Sequence, residues 1–183
     1  MMGVDEEDDK GMGNDDLVGK VQAQAPPTKS SPIGEIFYGY LMLCANSFQP
    51  AMGYLYRALA LQQSDPLLCL LCGVASLGRS TNRQVDNRNH TIIQGMALFT
   101  HYAELRGDIP EVDYNFARAY HHLNLVHLAV PRYERVLERA SSKASKGTFD
   151  MAREAAFNLA MIFTQSGSPD LARHLYRTWL AVE

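Results

Sequence analysis

Tyr114-Asn115-Phe116-Ala117 and Phe157-Asn158-Leu159-Ala160 are two copies of one phrase: an aromatic ring, an asparagine, a large apolar residue and an alanine. Twelve residues after each closing alanine stands another, Ala129 and Ala172. The same interval separates Gly39 from Ala51, and Gly73 follows Gly39 by 34 residues. Two helices can cross closely only where the contact holds small side chains. The small positions are therefore read as crossing points, pairing Gly39 with Ala51, Gly73 with Gly95, Ala117 with Ala129 and Ala160 with Ala172. A period of 34 residues is the length of a helix–turn–helix unit that stacks on its neighbours. Such stacks bind partners through extended surfaces.

Working outward from these positions, apolar residues recur at three- and four-residue spacing from Ile33 onward. Eight helices in four antiparallel pairs are expected, over about 35–46 with 50–62, 66–77 with 89–106, 111–123 with 126–140, and 150–166 with 169–181. Asp65-Pro66 supplies an N-cap followed by a proline in the first turn. Gly167 and Pro169 close one helix and open the next. Pro131 falls inside a helix, where its missing N–H should bend the axis. No strand-like alternation persists, so the fold class is all-α, a solenoid of about four helix pairs over 34–183.

Residues 1–33 read differently. Residues 1–20 hold seven acids against Lys10 and Lys20, so the acidity of the chain (net charge −3) belongs to this tail, and the remainder is close to neutral at +2. With few large apolar groups and a Pro/Ser linker at 25–32, the segment cannot offset its ordering entropy and is expected to be disordered. There is no run of eighteen apolar residues, which argues against a membrane partner. The acidic start is unlike a secretory signal, and three cysteines point to reduced thiols.

Several groups invite a chemical reading. Cys69 and Cys72 form a lone Cys-x-x-Cys without the second pair that structural zinc requires, and they lie in an apolar run. They read as buried helical cysteines. His121, His122 and His127 lack the i, i+4 spacing of two ligands on one helix face. No nucleophile–base set and no glycine-rich phosphate loop appears, so neither an enzyme, a metal nor a cofactor is expected. Arg132, Arg135, Arg139, Lys143 and Lys146 make a basic cluster, read as a solvated helix face or, alternatively, as a weak phosphate contact.

Over residues 35–181 the chain resembles tetratricopeptide repeats, with two departures. Nine extra residues separate the third and fourth units, around Ser141–Thr148, and about ten more split the second unit at 79–88. Together with those insertions, three stretches resemble the C-terminal repeat array of the tetratricopeptide subunit of transcription factor IIIC. They are Asn89–Phe99 with Tyr102–Gly107, Tyr114–Val130 with Tyr133, and Ala156–Ala160 with Gln165–Pro169, Ala172 and Arg173. The resemblance covers 34–183 and implies the C-terminal array of a longer protein. It also implies a nuclear assembly subunit supporting RNA polymerase III. Its partners would be other subunits of the complex and the initiation factor IIIB, with DNA contacted only indirectly.

The register then offers a partner groove formed by Tyr114, Asn115, Arg118, His121 and His122 with Phe157, Asn158, Met161 and Gln165. The alternative is an adaptor of the kind that grips the acidic tails of chaperones. That role needs lysines or arginines to hold two carboxylates. Tyr114, Phe157 and Ile36 occupy the places where a lysine would be needed.

Overall fold

The computed structural model describes residues 31–83, 85–141 and 151–181. The acidic tail and most of the insertion between the third and fourth units lie outside these residues. Eight α-helices follow one another: α1 Pro32–Cys44, α2 Phe48–Leu61, α3 Pro66–Ser80, α4 Arg88–Arg106, α5 Pro110–His122, α6 Val126–Ser141, α7 Ala152–Gln165 and α8 Pro169–Leu175. No strand occurs among the described residues. Consecutive helices pack on each other, α1 with α2, α3 with α4, α5 with α6 and α7 with α8, and each pair stacks on the next. The protein is an all-α helical-repeat solenoid.

Local chemistry sets the helix ends. Asp65 caps α3 by accepting from the Leu67 and Leu68 N–H groups at 2.8 and 3.3 Å, and Asn87 caps α4 by accepting from His90 N–H at 3.0 Å. Three of the four hairpins share one turn. Asn46, Asn124 and Gly167 take positive φ (55°, 60° and 78°), and the next N–H reaches back five residues to a carbonyl. Those bonds run from Ser47 to Met42, from Leu125 to Tyr120 and from Ser168 to Phe163, at 2.8 Å each. This is the left-handed stop that satisfies the last carbonyls of a helix. The α3–α4 connection is the exception, with a longer link through residues 81–87.

Two details differ from the sequence reading. Helix α1 starts at Pro32, three residues early, because a proline fits the first turn without losing a bond. The last helix leaves α geometry after Leu175 and finishes as a π-turn, Tyr176–Leu180, where Trp179 is packed against the core of the last two pairs.

The core runs along the stack in three clusters. Ala51, Leu55 and Ala58 meet Leu68, Cys72 and Ala75. Phe99 and Tyr102 meet Phe116 and Ala119, with the two phenyl rings edge to face at 5.6 Å. Tyr114, Ala117, Ala129 and Tyr133 meet Ala156, Leu159, Ala160 and Ala172.

All eight small positions are buried. A methyl built on Gly39 would lie 2.6 Å from Leu55 Cγ, one on Gly73 2.7 Å from Phe99 Cδ2, and one on Gly95 2.9 Å from Leu77 Cδ2. Gly39 thus makes its close contact with Leu55, one turn beyond Ala51. Gly73 and Gly95 face each other's helices, a methyl on Gly73 coming 3.3 Å from the Gly95 carbonyl oxygen.

Candidate partner-binding groove

The first helices of the third and fourth pairs, α5 and α7, supply the candidate residues of the groove. In α5 the buried faces of Phe116, Ala117 and Ala119 fix the helix, which leaves Asn115, Arg118 and His122 on its outer side. Arg118 is exposed and belongs to two clefts at once. One, of about 290 Å³, has an apolar floor that includes Phe48, Val74, Leu77 and Phe99, and a rim of Asn46, Asn115, Arg118 and His122. The other, of about 440 Å³, lies between α5 and α7 and is lined by Tyr114, Arg118, Arg153, Glu154, Phe157, Asn158 and Leu180. Six of the nine groove candidates therefore line one or both clefts: Tyr114, Asn115, Arg118, His122, Phe157 and Asn158. His121, Met161 and Gln165 line neither.

The two asparagines of the repeated phrase have a second task. Asn115 Nδ2 donates to the Tyr102 hydroxyl at 2.9 Å, and Asn158 Nδ2 donates to the Tyr114 hydroxyl at 3.2 Å. Each amide thus ties its helix to an aromatic residue of the preceding pair. Tyr102 Oη in turn donates to Glu111 Oε1 at 2.7 Å. Burial, followed by the bond to Glu111, pushes the Tyr102 pKa up to about 12, so the hydroxyl stays a donor. His121 stacks edge-on against Tyr133 at 6.3 Å. Burial, then the charges of Arg118 and His122, lower its pKa, favouring neutral imidazole.

Comparison with known proteins adds a sequence relation to this geometry. The chain is 35% identical over 169 residues to transcription factor tau subunit sfc4 of Schizosaccharomyces pombe, covering 84% of this chain and 17% of the relative. It is 32% identical over 163 residues to the transcription factor tau 131 kDa subunit of Saccharomyces cerevisiae, covering 86% and 15%. It is 28% identical over 150 residues to human general transcription factor 3C polypeptide 3, covering 80% and 17%. The chain belongs to the family of transcription factor IIIC subunits. No family model matches it. It spans about a sixth of the length of these transcription factor IIIC relatives.

Among the described residues the three arginines of the basic cluster keep part of their surface in solvent and are held in ion pairs. Arg132 Nη1 donates to Asp113 Oδ1 at 2.7 Å, Arg135 Nε lies 3.3 Å from Asp113 Oδ2, and Arg135 and Arg139 also hold Asp108. Asp113 is only 2% exposed, so the arginines are tied down by a buried carboxylate. Lys143 and Lys146 lie outside the described residues.

A second, similar pair joins α1 to α2. Glu35 is buried and takes both Nε and Nη2 of Arg57, at 3.1 and 2.8 Å. Sequence reasoning missed both pairs. The available signal was register: Glu35 precedes Gly39 by four residues, and Asp113 precedes Ala117 by four. Cys69 and Cys72 are buried, and desolvation raises both thiols, Cys72 to about 12. Among the described residues no group of three His, Cys, Asp or Glu side chains could hold a metal ion, and no helix is long and apolar enough to cross a membrane.

Proposed function

We propose that this chain is a binding segment of transcription factor IIIC, acting in the nucleus in support of RNA polymerase III transcription by gripping another protein. The observation that carries the reading is Arg118, exposed at the junction of two clefts and bordered by Tyr114, His122 and Arg153. A guanidinium at such a junction can hold a carboxylate while a neighbouring apolar floor takes an aliphatic or aromatic anchor. The ligand would then be an acidic segment with an apolar residue beside it, carried by another subunit of the complex or by the initiation factor IIIB. DNA would be reached only through the assembly, since Arg132, Arg135 and Arg139 are engaged with Asp108 and Asp113. The reading involves no catalysis.

The test replaces Arg118 and His122 together by glutamate and follows capture of the other complex subunits by the full chain. Both side chains are exposed, so helix content by circular dichroism should be unchanged. Capture should drop at least ~10-fold, as reversal of one desolvated charge contact is worth ~2 kcal/mol or more. Undiminished capture by the folded double variant would sink the proposal.

A further inference from the structure

The cleft of about 290 Å³ that holds Arg118 does not stand alone. Phe48 and Asn46, which help to line it, also line a second cleft of about 300 Å³, where Ser47, Gln49 and Arg79 join them. Phe48 is thus the border between the two. Gly78 explains how one ring serves both. It lies inside α3, away from any turn, where a glycine weakens the helix. A methyl on it would come 2.3 Å from Phe48 Cε1, so the missing side chain lets the ring rest on α3 between the clefts.

The charges around this border are of one sign. No acidic side chain lines either cleft, while Arg118 belongs to the first and the half-buried Arg79 to the second. Among the described residues neither guanidinium has an acidic partner, whereas Arg57, Arg106, Arg132, Arg135, Arg139 and Arg173 each hold one. The whole chain carries a net charge of −3, so an acidic ligand gains nothing from net charge and must be recognised locally.

We propose that the two clefts form one site, and that its ligand is a segment of another protein with a large apolar residue flanked by an acid on each side. The apolar residue packs on Phe48, over Val74, Leu77 and Phe99. Arg118 takes one carboxylate and Arg79 the other, each with the paired donors of a guanidinium. The inference rests on Arg118 holding an acid, as proposed above, and adds a second clamp. That clamp gives the ligand an order of residues. A segment acidic on one side only leaves one arginine covered and unpaired, which discriminates against it.

Fluorescence anisotropy with the full 183-residue chain tests this. The probes are three labelled nine-residue peptides built around one phenylalanine. One has a pair of glutamates on both sides of it, one only before it and one only after it. The two-sided peptide should bind at least ~10-fold more tightly than either of the others. Arg79→Glu should weaken the two-sided peptide at least ~10-fold, together with one of the one-sided peptides, and spare the other. Arg118→Glu should show the opposite preference between the one-sided peptides. Phe48→Ala should weaken all three. Arg177→Glu, at the far end of the stack, should change none of them. Arg79→Gln serves as a second variant should Arg79→Glu misfold.

A two-sided peptide that stays unbound at about 500 μM overturns the proposal and leaves the clefts to a different occupant. Equal binding of the three peptides, or folded Arg79 variants that hold the two-sided peptide as well as the parent does, also overturns it. If Arg118→Glu still weakens binding in those cases, the second clamp falls and the earlier reading of Arg118 stands. Indifference to Arg118→Glu sinks both.

Discussion

Four residues before the small crossing position, α1 and α5 carry buried acids, Glu35 and Asp113, each paired with arginine from the following helix. In α3 and α7 the same position holds Cys69 and Ala156, both fully buried among apolar neighbours. Odd and even pairs of one solenoid therefore solve the same packing problem with different chemistry. The apolar solution needs only volume and shape. The ionic one fixes the register of two helices through directional bonds, at the cost of desolvating a carboxylate. A four-residue offset of Glu35 from Gly39 and of Asp113 from Ala117 shows that the position, and not the charge, is the repeated feature.

The comparison breaks most visibly at Asp113. Asp113→Ala strands Arg132 and removes one partner of Arg135, and should cost about 3 kcal/mol, the low end for breaking a buried pair because the guanidinia can turn toward solvent. Cys69→Ala, at the same register position, removes one sulfur from a packed site and should cost about 1 kcal/mol. Urea titrations of both variants measure the difference. Equal losses would mean that the charge contributes nothing beyond the volume it fills.

The helices and their pairing were legible because both rest on local pattern. Spacing of apolar residues, caps such as Asp65 and stops such as Gly167 act within a few residues of chain. The ionic contacts were not legible for the opposite reason. Asp113 stands in the first turn of α5, where an acid is favoured by the helix dipole whether or not it is buried. Arg132, Arg135 and Arg139 recur at the spacing of a solvated face, and only the approach of α6 to α5 brings their partly exposed guanidinium groups to the buried Asp113. At the groove, the register placed Tyr114, Arg118 and Phe157 beside one cleft. It said nothing of Phe48, whose ring lies against Gly78 from another pair and floors the neighbouring cleft.

The aromatic residues sharpen the contrast between the second and third pairs. Tyr102, in α4, is fully committed: its hydroxyl donates to Glu111 and accepts from Asn115. Tyr133, in α6, is fully buried, and its hydroxyl has no hydrogen-bond partner among the described residues. Tyr102→Phe should cost about 1.5 kcal/mol, since it leaves two polar groups short of a partner, whereas Tyr133→Phe should be neutral or stabilising by up to about 1 kcal/mol. Thermal unfolding of the two variants side by side decides this. A loss at Tyr133 equal to that at Tyr102 would contradict an unpartnered hydroxyl.

The smallest effect concerns the third pair alone and is read through pH. His121 stacks on Tyr133, and burial, together with Arg118 and His122, holds its folded pKa below the ordinary 6.5. A base with a depressed folded pKa binds its proton more readily when unfolded. Its contribution to stability is therefore complete above about pH 6.5 and is lost as pH falls through the folded value. Stability should decline between pH 7 and 5, and His121→Gln should flatten that slope while leaving the neutral-pH melting temperature nearly unchanged. Asp108 responds to acid as well: its pKa is lowered chiefly by its bond to Arg139, so its contribution is lost only at still lower pH. A slope unaltered by His121→Gln between pH 7 and 5 would assign the acid sensitivity to other groups.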